Sequence, residues 1–234
     1  NYRFGMTFDY RLAPHHGVDM ANPEGTPVLA VGPGEVYYAG SDIDLQFGPS
    51  GDFYGNVIVI RHDQRWEDRV LYTLYGHLQQ TSVVTGQRVN TGDLIGLIGS
   101  TGIALQPHLH FEVRIDDPES YFAVRNPELW YLPLEPRRGA LAGRVIDARG
   151  RYLPGHRVFI TCQDGVRREV QTYWYEGTAP DDVLGENFGL NDLPSGTCVV
   201  ETEIDGLTLS QAVQVTSNNL TFLVLQSSGG PATR

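Results

Sequence analysis

The sequence predicts an all-β protein built as two domains, and three observations carry that prediction. Glycine (27) and proline (14) are abundant in the 234 residues, and they break the text into short apolar runs. Those runs alternate or end at turn residues, and no amphipathic helix of three turns can be traced. Composition shifts at residues 132–143, "LPLEPRRGALAG", where two prolines, two arginines and small residues read as a linker. Hydrophobic residues make up 41% of the chain, enough for buried cores. The expected division is a domain over 1–136, a small β-sandwich over 137–226 and a disordered tail over 227–234.

The elements follow in order. "TPVLAV" (26–31), a Gly-Pro-Gly turn and "EVYYAG" (35–40) open the strand series. "GNVIVIRH" (55–62) and "RVLYTLYGHL" (69–78) are longer apolar strands. "TSVVTGQRVNTGDLIGLIGSTG" (81–102) alternates short strands with turns at Thr85-Gly86, Thr91-Gly92 and Ser100-Thr101-Gly102, and "PHLHFEVRI" (107–115) closes the series. "DPESYFAV" and "NPELWYL" are each suited to a short helix, with Asp117 or Asn126 as N-cap and proline at the first position. The segment 41–56 reads as a long loop whose Phe47, Phe53 and Tyr54 could wall a groove. After the linker, five to seven short strands in about 90 residues suggest a sandwich, with clear alternation in "HRVFITCQ" and "TCVVETEI". "TYWYEG" (172–177) reads as cross-strand aromatic packing rather than a sugar platform.

Charge and composition exclude several functions. Net charge is −11, which argues against nucleic acid and against docking on anionic membranes. No stretch approaches the length of a membrane span, so no membrane insertion is expected of this segment. All 17 basic residues are arginine. Schiff-base chemistry, a P-loop and biotinyl or lipoyl attachment are therefore excluded, although "V..G..V..GD.I" over 84–95 has the rhythm of such carrier domains. With two cysteines only, Cys162 and Cys198, a Cys-x-x-Cys metal site is impossible. The pair is either one disulfide of an exported protein or two buried thiols.

Six of the seven histidines precede the linker. In a strand over 107–115, His108, His110 and Glu112 share one face, and Leu109, Phe111 and Val113 share the other, apolar one. Two imidazoles pointing the same way suit a metal or a wet cleft. In "HHGVD" (15–19), His15 and Asp19 are four residues apart, and Gly17 makes a helix improbable. His77 ends the run "VLYTLYGHL". A catalytic zinc takes three protein ligands and keeps a fourth position for water. His15, Asp19 and one histidine of the strand pair would supply the ligands. The other strand histidine and His77 would stand beside the metal to take a proton or hydrogen-bond an oxyanion. Glu112 reads either as a partner of a ligand or as a solvated strand residue. His62 and His156 read as structural or turn residues, and His16 is left outside the set.

Taken together, "HHGVDMANPEGTPVLAVGPGEVYYAG", "LYTLYGHL", "TGQRVNTGDLIGLIGSTG" and "PHLHFEV" resemble the successive blocks of the lysostaphin-type zinc endopeptidases, over about residues 10–131 and in order. The resemblance implies an antiparallel β-sheet core with Zn2+ in a groove. It implies His15, Asp19 and His110 as metal ligands and His77 and His108 as catalytic residues. It further implies peptides of bacterial peptidoglycan as substrate and an extracytoplasmic location. "LAGRVIDARGRYLPGHRVFI" and "GENFGLNDLPSGTCVVE" more loosely resemble carboxypeptidase-regulatory-like or transthyretin-like sandwiches, which are accessory modules. Other readings are a catalytically silent wall-binding or hydrolase-regulating module, against which all five positions are kept, and a metallopeptidase acting on Gly-rich proteins. Oligomeric state is not legible.

Overall fold

The computed structural model describes residues 2–7, 11–131, 133, 135–173 and 177–227. The tail beyond 227 and the centre of "TYWYEG" lie outside the described residues. Two compact units emerge: Asn1–Arg3 with His16–Pro127, and Phe4–His15 with Glu128–Arg234. The segment Phe4–His15 counts with the second unit for physical reasons: Thr7 donates from its backbone N and from Oγ1 to Gln171 Oε1 (3.0 and 3.1 Å). Phe4 also packs edge-on against Tyr173, with ring centroids 4.9 Å apart.

The first unit holds β1 (Val18–Ala21), β2 (Pro27–Leu29), β3 (Gly34–Ser41), β4 (Asn56–Trp66), β5 (Arg69–Thr81), β6 (Arg88–Val89), β7 (Leu94–Ile98), β8 (His108–Ile115) and β9 (Val124–Arg125). They form one antiparallel sheet with the path β1-β8-β5-β4-β3-β6, while β2 and β7 pair with each other, β7 also with β5, and β9 with β8. The expected strands appear in their expected order. The strands β4 and β5 are rich in β-branched and aromatic residues, and they pack Val57, Val59, Tyr72 and Leu74 into a core with Phe47 and Tyr54. That core changes the reading of the 41–56 loop: Phe47 and Tyr54 are fully buried, so they anchor the loop rather than line an open groove. Of the two candidate helices, "NPELWYL" yields one 3-10 turn at Pro127–Leu129. "DPES" is a turn in which Asp117 Oδ1 accepts from the N–H groups of Glu119 and Ser120, a capping geometry with no helix behind it.

The second unit holds β10 (Arg138–Ile146), β11 (Arg157–Cys162), β12 (Arg167–Gln171), β13 (Phe188–Pro194), β14 (Gly196–Ile204), β15 (Leu207–Val215) and β16 (Leu220–Gln226). They make two sheets, β13-β10-β16 and β12-β11-β14-β15. Alternate residues of both sheets, among them Leu141, Val145, Ile160, Phe188, Val200 and Leu223, share one hydrophobic core, as a sandwich requires. The pairing of β10 with β16 is parallel, joining strands far apart in the text. Cys162 and Cys198 are cross-strand partners in β11 and β14 and form a disulfide.

Candidate metal centre

Strand register brings together residues that are remote in the sequence. The strands β1 and β8 are antiparallel with Asp19 opposite His110 and Ala21 opposite His108. Directly opposed residues share a face with Cβ atoms about 5 Å apart. Asp19 Oδ1 accordingly lies 2.8 Å from His110 Nδ1 and 3.6 Å from His108 Nε2. His15 is only four residues before Asp19, and its ring nitrogen completes a group in which the three candidate donor atoms lie within 4.8 Å of one another. Gly17 is required here by space. A Cβ at that position would stand 2.5 Å from the Phe111 carbonyl oxygen and 2.8 Å from His110 Nε2.

His77 arrives by a different device. On β8's other side, Gly76 of β5 faces His110. The β4–β5 ladder pairs Ile58 with Tyr75 and Asn56 with Leu78, so β5 carries one extra residue there. That bulge re-aims the chain. His77 takes φ = 60°, a left-handed conformation unusual for a non-glycine residue, and its N–H donates to the Tyr54 carbonyl at 2.7 Å. The His77 ring then sits 4.7 Å from that of His108 and 5.7 Å from that of His110, centroid to centroid.

The hydrogen bonds fix tautomers. A backbone carbonyl only accepts. Thus His77 Nδ1–H donates to Thr101 O (2.9 Å) and His108 Nδ1–H donates to Gln106 O (2.7 Å), which leaves Nε2 of each neutral ring with a lone pair. His110 is reversed. Its Nε2–H donates to Glu112 Oε1 at 2.9 Å, so Nδ1 is the atom directed to Asp19.

The electrostatics agree with a cation site. Burial lowers the affinity of the His110 imidazole for a proton, but its hydrogen bonds to Asp19 and Glu112 outweigh burial and push it up to about 9. Positive charge is therefore stabilised beside the Asp19 carboxylate. Burial opposes ionisation of Glu112 too, yet the Arg114 charge and the His110 hydrogen bond hold it well below the usual carboxylate range. Burial, and then the charge on His110, bring His77 down to about 3, so it is neutral at neutral pH. Two imidazole nitrogens and one carboxylate oxygen, converging where a positive charge is stabilised, fit a divalent transition metal.

The remaining histidines have other partners. His16 is buried, stacks on Tyr121 with centroids 3.8 Å apart and bonds the Tyr121 carbonyl through Nδ1 (2.7 Å). His62 is buried in the sheet with Nε2 2.8 Å from Thr73 Oγ1, and His156 Nδ1 bonds the Glu203 carbonyl (2.9 Å). Sequence reasoning left Glu112 undecided and missed Arg114 and Tyr54 as its partners. One signal was available: His110, Glu112 and Arg114 alternate along one strand, so three chargeable groups share one face.

The residues matched by a known family model include this site. The family model "Peptidase family M23" matches residues 13–121. The DD-carboxypeptidase/endopeptidase Mpg of Neisseria meningitidis serogroup B is 38% identical over 138 residues, covering 54% of this chain and 28% of that protein. The peptidoglycan DD-endopeptidase ShyA of Vibrio cholerae is 39% identical over 103 residues, 44% of this chain and 21% of that protein. The chain thus spans less than a third of the length of either relative. Among solved structures, the catalytic domain of the antimicrobial peptidase lysostaphin from Staphylococcus simulans aligns with 29% identity and TM-score 0.45, over 54% of this chain and 86% of that one.

Proposed function

We propose that the protein, whose residues 13–121 match the family model for peptidase family M23, is a zinc-dependent endopeptidase hydrolysing the peptide part of bacterial peptidoglycan outside the cytoplasm. The observation that carries this reading is the convergence of His15, Asp19 and His110 beside His77 and His108. In it, His15, Asp19 and His110 hold the metal. Bound there, zinc supplies Lewis acidity toward the scissile carbonyl and acidifies water. His108 and His77 stand next to the ligands with Nε2 free to accept a proton, because their Nδ1–H groups are committed to Gln106 and Thr101. His108 can take the proton that the attacking water releases, hydrogen-bond the developing oxyanion once protonated, and return the proton to the leaving amine, while His77, whose basicity burial reduces, stands beside it as a neutral ring. The disulfide between Cys162 and Cys198 supports an oxidising, extracytoplasmic compartment, and the relatives named for peptidoglycan cleavage support the substrate class.

The test is digestion of purified sacculi, with released fragments identified by mass. The wild-type chain is expected to release peptide-cleaved fragments. His108→Ala should retain metal and lose turnover by at least 10²-fold, while His110→Ala should lose both. Full hydrolysis by His108→Ala would contradict the assigned role, and intact sacculi with the zinc-loaded wild type would contradict the substrate.

A further inference from the structure

Behind the candidate centre lies a charged network with no access to solvent. Glu112 and Arg114 are both fully buried on β8. Glu112 Oε1 accepts from His110 Nε2–H (2.9 Å) and from the Tyr54 hydroxyl. Glu112 Oε2 accepts from Arg114 Nε at 2.7 Å. The guanidinium is spent in turn: Nη1 donates to the Pro118 carbonyl (2.8 Å), and Nη2 to the Phe47 carbonyl (3.1 Å) and the Tyr54 oxygen (3.3 Å).

A buried ion pair of this kind gives little net stability over an apolar pair of the same volume, because desolvation offsets the attraction. A role in orientation accounts for it better. An imidazole can bind a metal through either ring nitrogen, and the choice falls to the atom whose partner nitrogen is already committed to a hydrogen bond. Here Nε2 is committed to Glu112, and Nδ1 faces Asp19 at 2.8 Å. Were Glu112 free to move, the ring could turn and present Nε2 instead. It cannot move, because Arg114 ties its second oxygen to the Phe47 and Pro118 carbonyls in two separate loops.

We propose that Glu112 is a positioning residue for the metal site: clamped by Arg114 and Tyr54, it fixes the His110 ring and tautomer so that Nδ1 is the ligand atom. This rests on the reading of His110 as a metal ligand. Glu112 touches neither metal nor substrate.

The test measures zinc affinity by chelator competition, and the visible spectrum of the Co2+-loaded protein, for the wild type, Glu112→Gln, Glu112→Asp and His110→Ala. Glu112→Asp keeps the negative charge near Arg114 on a shorter side chain with altered reach to His110, and so gives a second variant beside Glu112→Gln. Both Glu112 variants are expected to bind one zinc per chain with Kd raised roughly 10- to 100-fold, and to shift the Co2+ absorption bands. Loss of thermal stability with Kd and Co2+ spectrum unchanged in both, while His110→Ala abolishes binding, would overturn the positioning role alone. Zinc affinity unaltered in His110→Ala would overturn the metal reading and this role with it.

Discussion

Gly17 shows how much of a site can depend on an atom that is missing. Between His15 and Asp19 a side chain of any size would strike the Phe111 carbonyl and the His110 ring. Gly17→Ala is therefore expected to destabilise the first unit by about 1–3 kcal/mol, read in urea denaturation, and to weaken zinc binding as His110 is displaced; unaltered midpoint and affinity would contradict the packing described. His-x-x-x-Asp and His-x-His were legible as pairs because metal chemistry restricts the residue types that can serve. Gly17 was legible only as a helix breaker, since its constraint comes from β8, which is remote in sequence. Glu112 was ambiguous for a related reason: strand alternation gives the face a residue occupies, and only the loops carrying Phe47 and Tyr54 determine that this face is buried.

Among the elements, alternation and turn residues located the strands well, because a half-buried strand must repeat every two residues. Pairing was less legible. That Asp19 opposes His110 follows from the β1–β8 register, and that His77 points toward the same centre follows from one extra residue in β5. Neither the register nor the bulge leaves a periodic trace. The parallel β10–β16 pair was invisible for the same reason. The cysteines left two alternatives open, and adjacent antiparallel strands decide for the disulfide by placing Cys162 directly opposite Cys198. The bridge closes a sequence separation of 36 residues, for which loop entropy gives a stabilisation of about 4 kcal/mol, with 2–4 typical. Replacing both cysteines by alanine is expected to lower the denaturant midpoint of the second unit accordingly. A midpoint equal to that of the wild type under oxidising conditions would contradict it.

For the molecule as a whole, composition set the class and the exclusions, while specificity came from the order of several weak motifs along one domain. The sandwich over 137–226 was legible as five to seven strands with no residue assigned a chemical role, and that the segment Phe4–His15 counts with the second unit had no sequence signal at all. Everything proposed about catalysis depends on a single cation held by His15, Asp19 and His110. The most direct measurement is metal analysis of the purified chain by plasma emission, with Asp19→Ala and His110→Ala in parallel. One zinc per wild-type chain, falling to near zero in both variants with the fold intact by circular dichroism, is the expected result. A wild-type chain that takes up no metal when zinc is supplied, or variants that retain one zinc each, would contradict it.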